Sequence, residues 1–355
     1  MKIAQVVGPK IPFSPRLPHT PYSIPAMSYL ITEELVKRGH DVTVFAPSDS
    51  KTHAKIAPGT VSAKYYNSRI LKKINKYTKK KRGSITHRHY LNVIKQADDF
   101  DIIHNHELGF LYFAPQTKTP VVTTLHYHPI DVEHKELLIA KNNQFIAISK
   151  KQTINFPKLK YAGVVHHGIN IKKFKFNNKP KNYIGWLGRI TSIKGSKEAI
   201  EASLKAGERI KLAGNIEKDE KQRKYTKETL DLIKKNKTVT YIGRVGYNRK
   251  IKFLRNAKVV LMPIKWEEPF GLVAIEALAC GTPVIAFKRG ALPEIIEDGK
   301  TGFIVETIPQ MAKAIANIDK IDRKYCRQKA EEYFNIKRMV DEHEELYKKV
   351  IKKKK

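Results

Sequence analysis

The stretch Trp266-Glu267-Glu268-Pro269-Phe270-Gly271-Leu272-Val273-Ala274-Ile275-Glu276-Ala277 reads as the junction of a strand with a helix. Upstream lies the apolar run Val259 to Pro263, and downstream, past Cys280-Gly281-Thr282, a second run from Pro283 to Phe287. Pro269 and Gly271 break the chain between them, and an apolar helix opens at Gly271. The amides of Gly271, Leu272 and Val273 then form a helix N-terminus, where unbonded N–H groups and the macrodipole favour an anion. Strand, turn, helix and strand together are the repeating unit of parallel α/β sheets.

The same alternation extends in both directions. Toward the N-terminus of this half the strand candidates are Tyr183 to Leu187, Ile210 to Ala213 and Val239 to Ile242, with helices from Ser196 and near Thr226 and Arg249. In the first half they are Lys2 to Gly8, Asp41 to Ala46, Asp101 to His106, Val121 to His126, Phe145 to Ser149 and Gly163 to His166. Met27, Leu30, Ile31, Leu35 and Val36 recur at helical spacing, and Gly39 stands where a C-cap would stop that helix. The basic segment Lys51 to Arg88 reads as an insertion of loops and helix. Around Lys172 to Lys181 the hydrophobic pattern lapses, as in a domain linker. The expectation is two doubly wound domains, 1–174 and 175–336, with a terminal helix over 337–355 packed back on the first.

Composition supports this. A chain of 355 residues is a prior for two domains, and 41% hydrophobic with 29% charged residues is globular rather than disordered. Lys+Arg 68 against Asp+Glu 34 leaves a formal charge of +34, which draws anionic partners or membranes without dictating fold. Two cysteines, Cys280 and Cys326, provide neither a zinc set nor a disulfide framework, and the reducing cytoplasm is the expected compartment. No run approaches the length of a membrane span, so membrane contact is expected to be peripheral, at an anionic inner face.

Two carboxylates beside an anion site, Glu268 before the helix and Glu276 in its second turn, would oppose a bare phosphate. They suit the hydroxyl donors of a sugar and a ribose. A second cluster, Gly188-Arg189-Ile190-Thr191-Ser192-Ile193-Lys194-Gly195, follows a strand; Arg189 and Lys194 could clamp a diphosphate as its charge grows. Its spacing is not that of a Walker loop. His104 and His106, like His126 and His128, alternate at strand spacing and share faces, but lack the carboxylates or cysteines of a metal site. Asp99-Phe100-Asp101 precedes a strand and reads as a turn.

These residues resemble glycosyltransferase family 4, retaining enzymes of the GT-B fold, in which two Rossmann-like domains face a central cleft. The likeness runs through Glu268 to Glu276, Ala279 to Val284, Gly290 to Glu294 and Asp298 to Phe303. It continues more weakly in Asp101 to His106, Thr123 to His126, Ile146 to Ser149 and Val165 to Asn170. It implies that Arg189 and Lys194, with the backbone of Gly271, Leu272 and Val273, hold the donor diphosphate. Glu276 would hold the ribose and Glu268 the transferred sugar, with Gly188, Pro269 and Phe270 in the donor loop and His126 beside the sugar. The donor would be a UDP-, GDP- or ADP-sugar, with no cofactor and no metal, and the acceptor a saccharide, a lipid-linked or a small molecule. One departure stands at Tyr22-Ser23-Ile24, where the family usually has a glycine pair close to the ligand; His167 also stands where an Asn commonly precedes the glycine. The alternative reading is a basic nucleotide-binding protein, associated with membrane or nucleic acid, whose transferase site has degenerated. No recognisable nucleic-acid motif interleaves aromatic with basic residues.

Overall fold

The computed structural model describes residues 1–17, 23–67, 77–129, 143–217 and 219–353. They form two compact units: Met1–His166 with Ile336–Lys355, and His167–Asn335.

In the first unit, seven described strands make one parallel sheet: β1 (Lys2–Val6), β2 (Asp41–Phe45), β3 (Lys55–Ile56), β4 (Ile102–Asn105), β5 (Val121–Leu125), β6 (Asn143–Ala147) and β7 (Tyr161–Val164). Their order is β3-β2-β1-β4-β5-β6-β7. Ile3, Ala4 and Val6 of β1, Ile102 and Ile103 of β4, and Val121 and Val122 of β5 are buried, as strands covered on both faces require. Helix α1 (Ser23–Lys37) lies between β1 and β2 in the chain. It ends as Gly39 takes φ 82°: Gly39 N–H reaches Val36 O at 2.9 Å and His40 N–H reaches Leu35 O at 3.2 Å, a Schellman closure. Helix α2 (Tyr77–Lys95) buries Ile85, His89, Tyr90 and Val93. A short helix α3 (Lys150–Asn155) is capped by the Ser149 hydroxyl.

The C-terminal helix, Ile336–Lys352, belongs to this unit and buries Met339, Val340, His343, Tyr347 and Val350. Arg38, just past α1, donates to Asp341 at 2.6 Å, Glu344 at 3.1 Å and the Lys337 carbonyl at 2.8 Å, pinning this helix to α1.

The second unit holds six described strands: β8 (Ile184–Leu187), β9 (Ile210–Ala213), β10 (Val239–Tyr241), β11 (Val260–Met262), β12 (Val284–Phe287) and β13 (Gly302–Val305), ordered β10-β9-β8-β11-β12-β13. Connecting them are α4 (Ser196–Lys205), α5 (Arg223–Lys235), α6 (Tyr247–Asn256) and α7 (Leu272–Ala279). Helices α8 (Ile308–Ala316) and α9 (Arg323–Tyr333) follow β13.

Each sheet reverses strand order beside its first strand, between β1 and β4 and between β8 and β11. Crevices beyond the carboxyl ends of such strands are where α/β sheets bind ligands.

The sequence reading differs from this at three places. The Lys51–Arg88 segment contributes a seventh strand, β3, whose two residues pair with Thr43 and Val44 of β2. Edge strand β13, with α8 and α9, was not anticipated. The division between units falls after His166, not at residue 174. The charged run Lys172–Lys181 docks on the second unit because Phe174 is buried there and its carbonyl accepts from Arg327. Asn177 N–H also bonds the Cys280 carbonyl at 3.1 Å. No helix of the described residues is long and apolar enough to cross a membrane.

Candidate functional site

The second unit builds its site on the two loops at its switch point. Strand β8 is followed by Gly188, where a β-carbon would press on the Trp186 ring at 3.2 Å. The buried Trp186 indole donates to the Lys194 carbonyl at 3.1 Å, which ties the loop to the strand below it. From that anchor the Lys194 ammonium reaches Glu268 Oε2 at 2.6 Å and lies 4.9 Å from the Trp266 ring centroid. Trp266 Nε1 donates to the same carboxylate oxygen at 2.8 Å, so Glu268 is fixed from two sides.

Its backbone is equally constrained. Ala291 N–H donates to the Glu268 carbonyl at 2.9 Å, and Gly290, at φ 56°, packs so close that a β-carbon would stand 2.1 Å from that carbonyl oxygen. The neighbouring Glu267 carboxylate accepts from Gly290 N–H at 3.2 Å. Phe270 is buried, with its ring 5.1 Å from that of His167.

Gly271, at φ 106°, is the N-cap of α7 and, having no side chain, gives the amides there no capping bond. Leu272 and Val273 occupy the first turn, whose N–H groups have no earlier turn to bond. The helix therefore presents its positive end beside Glu268. Glu276, on the next turn, is 8% exposed, and its Oε1 accepts from Lys250 Nζ of α6 at 2.5 Å.

Thus Lys194, Glu268, Gly271, Leu272, Val273 and Glu276 lie along one loop–helix edge. Arg189 does not join their ion pairs: its side chain is mostly exposed and donates to Glu217 at 3.0 Å. Lys250 was missed by the sequence reading. In a chain with 68 Lys and Arg, nothing local to it signals a partner across α6 and α7.

In the first unit, His126 directly follows β5 and sits at the end of a buried polar chain. The Tyr347 hydroxyl lies 2.6 Å from His104 Nδ1, and His104 Nε2 lies 2.7 Å from Thr124 Oγ1. Gln5 Oε1 accepts from His106 Nε2 at 2.9 Å, and His106 Nδ1 is 2.9 Å from His126 Nε2. With His106 neutral, its Nδ1 accepts, and the shared proton resides on His126 Nε2. Burial, and then the neighbouring His343, hold His126 down to about 3; burial likewise holds His343 down to about 4 and His104 well below its ordinary range.

Ser23 begins α1 exposed, Ile24 lines a cavity of the first unit, and Tyr22 lies outside the described residues. Asp101, just before β4, accepts from Lys2 N–H of β1 at 2.7 Å. Among the described residues no group of three His, Cys, Asp or Glu could hold a metal ion.

Two parallel-sheet units of this kind, each reversing its strand order beside its first strand, define an α/β architecture, the GT-B fold. Residues 5–172 match the family model Glycosyltransferase Family 4, and residues 169–333 match Glycosyl transferases group 1. The chain belongs to the family 4 glycosyltransferases. It is 27% identical over 243 residues to an uncharacterised glycosyltransferase of Methanocaldococcus jannaschii, covering 61% of this chain and 63% of that protein. An uncharacterised 41.2 kDa protein of the Klebsiella pneumoniae cps region is 31% identical over 302 residues, covering 73% of this chain and 82% of its own. The Anabaena protein HepE, solved with UDP and glucose, superposes with a TM-score of 0.70 at 18% identity over 98% of this chain and 100% of its own.

Proposed function

We propose that this chain moves a hexose from a nucleoside diphosphate sugar to an acceptor held by its first unit, with retention at the anomeric carbon and without a metal. The observation that carries this reading is the convergence of the Lys194 ammonium, the Glu268 carboxylate and the uncapped start of α7, with Glu276 one turn further on. A diphosphate gathers negative charge as the bond from sugar C1 to the phosphate oxygen breaks. Lys194 and the amides of Leu272 and Val273 are the groups that would stabilise that charge, joined by Arg189 from the same loop. Glu276 would accept from ribose hydroxyls, sharing its carboxylate with Lys250, and Glu268 from hydroxyls of the hexose. The acceptor oxygen bonds C1 on the face the phosphate leaves, and its proton passes to the departing phosphate oxygen. His126 is assigned to the sugar side of the reaction, its ring set by His106. The UDP complex of HepE favours UDP as the first donor base to try.

Calorimetric titration with UDP, GDP and ADP tests the donor half. One base should bind best, Glu276→Ala should lose it, and Glu268→Gln should keep the nucleotide while slowing donor turnover at least a hundredfold. Early proton NMR of sugar released by slow donor hydrolysis should show the donor's own anomer, in EDTA as in buffer. Equal binding of all three bases by wild type and Glu276→Ala would refute the assignment.

A further inference from the structure

The first unit contains a cavity of about 610 Å³ at the carboxyl ends of β1 and β4. It lies beyond the strand-order reversal of its own sheet, where open α/β sheets take their ligands. The walls are of two kinds. Phe13, Ile24, Tyr90 and Phe113 line it with flat apolar surface, and the Tyr90 and Phe113 rings are braced against each other at 5.5 Å. The polar lining groups include Lys10, His87, His106 and Glu107.

Glu107 follows β4 and packs on the bare backbone of Gly8, where a β-carbon would stand 2.7 Å from Glu107 Oε1. Gly8 N–H bonds the carboxylate, and Asn105 Oδ1 holds the Glu107 amide at 3.0 Å, so the group is positioned from its own backbone. A carboxylate has about four lone-pair directions, and one N–H uses one of them. The remainder suit hydroxyl donors. A second anion placed against this carboxylate would meet like-charge repulsion. Burial already raises the Glu107 carboxyl above its ordinary range, against the opposing pull of Lys10.

We infer that this cavity is the acceptor site and that it takes an uncharged saccharide ring, its apolar face on Tyr90 and Phe113 and its hydroxyls on Glu107, and excludes phosphorylated acceptors. The inference rests on the proposed glycosyl transfer. Its volume admits one or two pyranose rings, and its aromatic and carboxylate walls match the two faces of a sugar.

The test is saturation-transfer NMR and calorimetry on the full chain. The neutral probes are methyl glucoside, methyl galactoside, methyl mannoside, maltose and myo-inositol; the charged ones are glucose 6-phosphate and inositol 3-phosphate. At least one neutral probe should bind ten times or more tighter than either phosphate. Glu107→Ala and the cavity-filling Ile24→Trp should each weaken that binding at least tenfold, and Glu107→Gln should narrow the preference over phosphates. Nucleotide binding, measured in the same samples, should stay as in wild type, which shows each variant to be folded and keeps the two proposals separable. Tighter binding of a phosphorylated probe, no binding of any neutral probe, or indifference to both Glu107→Ala and Ile24→Trp would overturn the inference. Loss of nucleotide specificity with sugar binding intact would instead refute the donor assignment.

Discussion

Replacing His343 by Leu should make the protein markedly less sensitive to mild acid. His343 is buried in the C-terminal helix, with Nδ1 2.7 Å from the Met339 carbonyl and its ring 5.3 Å from that of His104. The groups around it are His104 on β4, His126 after β5, and Arg338 and Tyr347 on its own helix. Burial holds its imidazole down to about 4 and that of His126 down to about 3, against an ordinary value near 6.5. Above pH 6.5 both states are neutral and the groups add no pH dependence. Below it the unfolded chain takes up protons that the folded chain refuses, so stability falls as pH falls, by about 1.4 kcal/mol per pH unit per group, until the folded pKa is reached. At pH 5 this is about 2 kcal/mol for His343 and up to about 4 kcal/mol for the pair, a large part of a typical 5–15 kcal/mol. Urea unfolding of wild type and His343→Leu at pH 7.5 and pH 5 measures it, in a range where ordinary carboxylates stay ionised. The variant should lie within about 1 kcal/mol of wild type at pH 7.5 and gain about 2 kcal/mol relative to it at pH 5. Parallel pH dependence of the two proteins would refute the reasoning.

Other consequences are more local. Lys250→Met should cost about 1–3 kcal/mol by leaving the Glu276 carboxylate without its ammonium, and Glu276→Gln in the same chain should recover much of it; a double-mutant cycle by chemical unfolding reads the coupling. Gly290→Ala, at φ 56° with its β-carbon 2.1 Å from the Glu268 carbonyl, should lower the melting temperature by several degrees and impair donor turnover more than nucleotide affinity. Arg38→Ala removes the cation bonded to Asp341 and Glu344 and should cost about 1–2 kcal/mol, with hydrogen exchange rising first in the helix Ile336–Lys352.

What the sequence revealed and what it concealed follow from how far apart the interacting residues lie along the chain. Inner strands such as β11 and β12 are continuous apolar runs because both faces are covered, so they are legible from composition alone. The two-residue β3 and the glycine-started β13 are sheet edges, held by partners rather than by their own pattern. The run Lys172–Lys181 looks like a linker because its charges outnumber Phe174 and Phe176; Phe174 is buried, as is Ile171 just before the run, and it attaches the run to the second unit. The same logic divides the site. Glu268, Gly271 and Glu276 belong to one strand–turn–helix junction, so spacing along the chain reports their spacing in the fold. The Lys250 partner of Glu276 comes from another helix, and the chain of Gln5, His104, His106, His126 and Tyr347 is assembled from β1, β4, β5 and the C-terminal helix. That assembly exists only because the sheet order sets β4 between β1 and β5, pairing Gln5 with His104 and His104 with Val122. Alternation along β4 alone put His104 and His106 on one face, but only strand order and the C-terminal helix supply the hydrogen-bond partners of their rings.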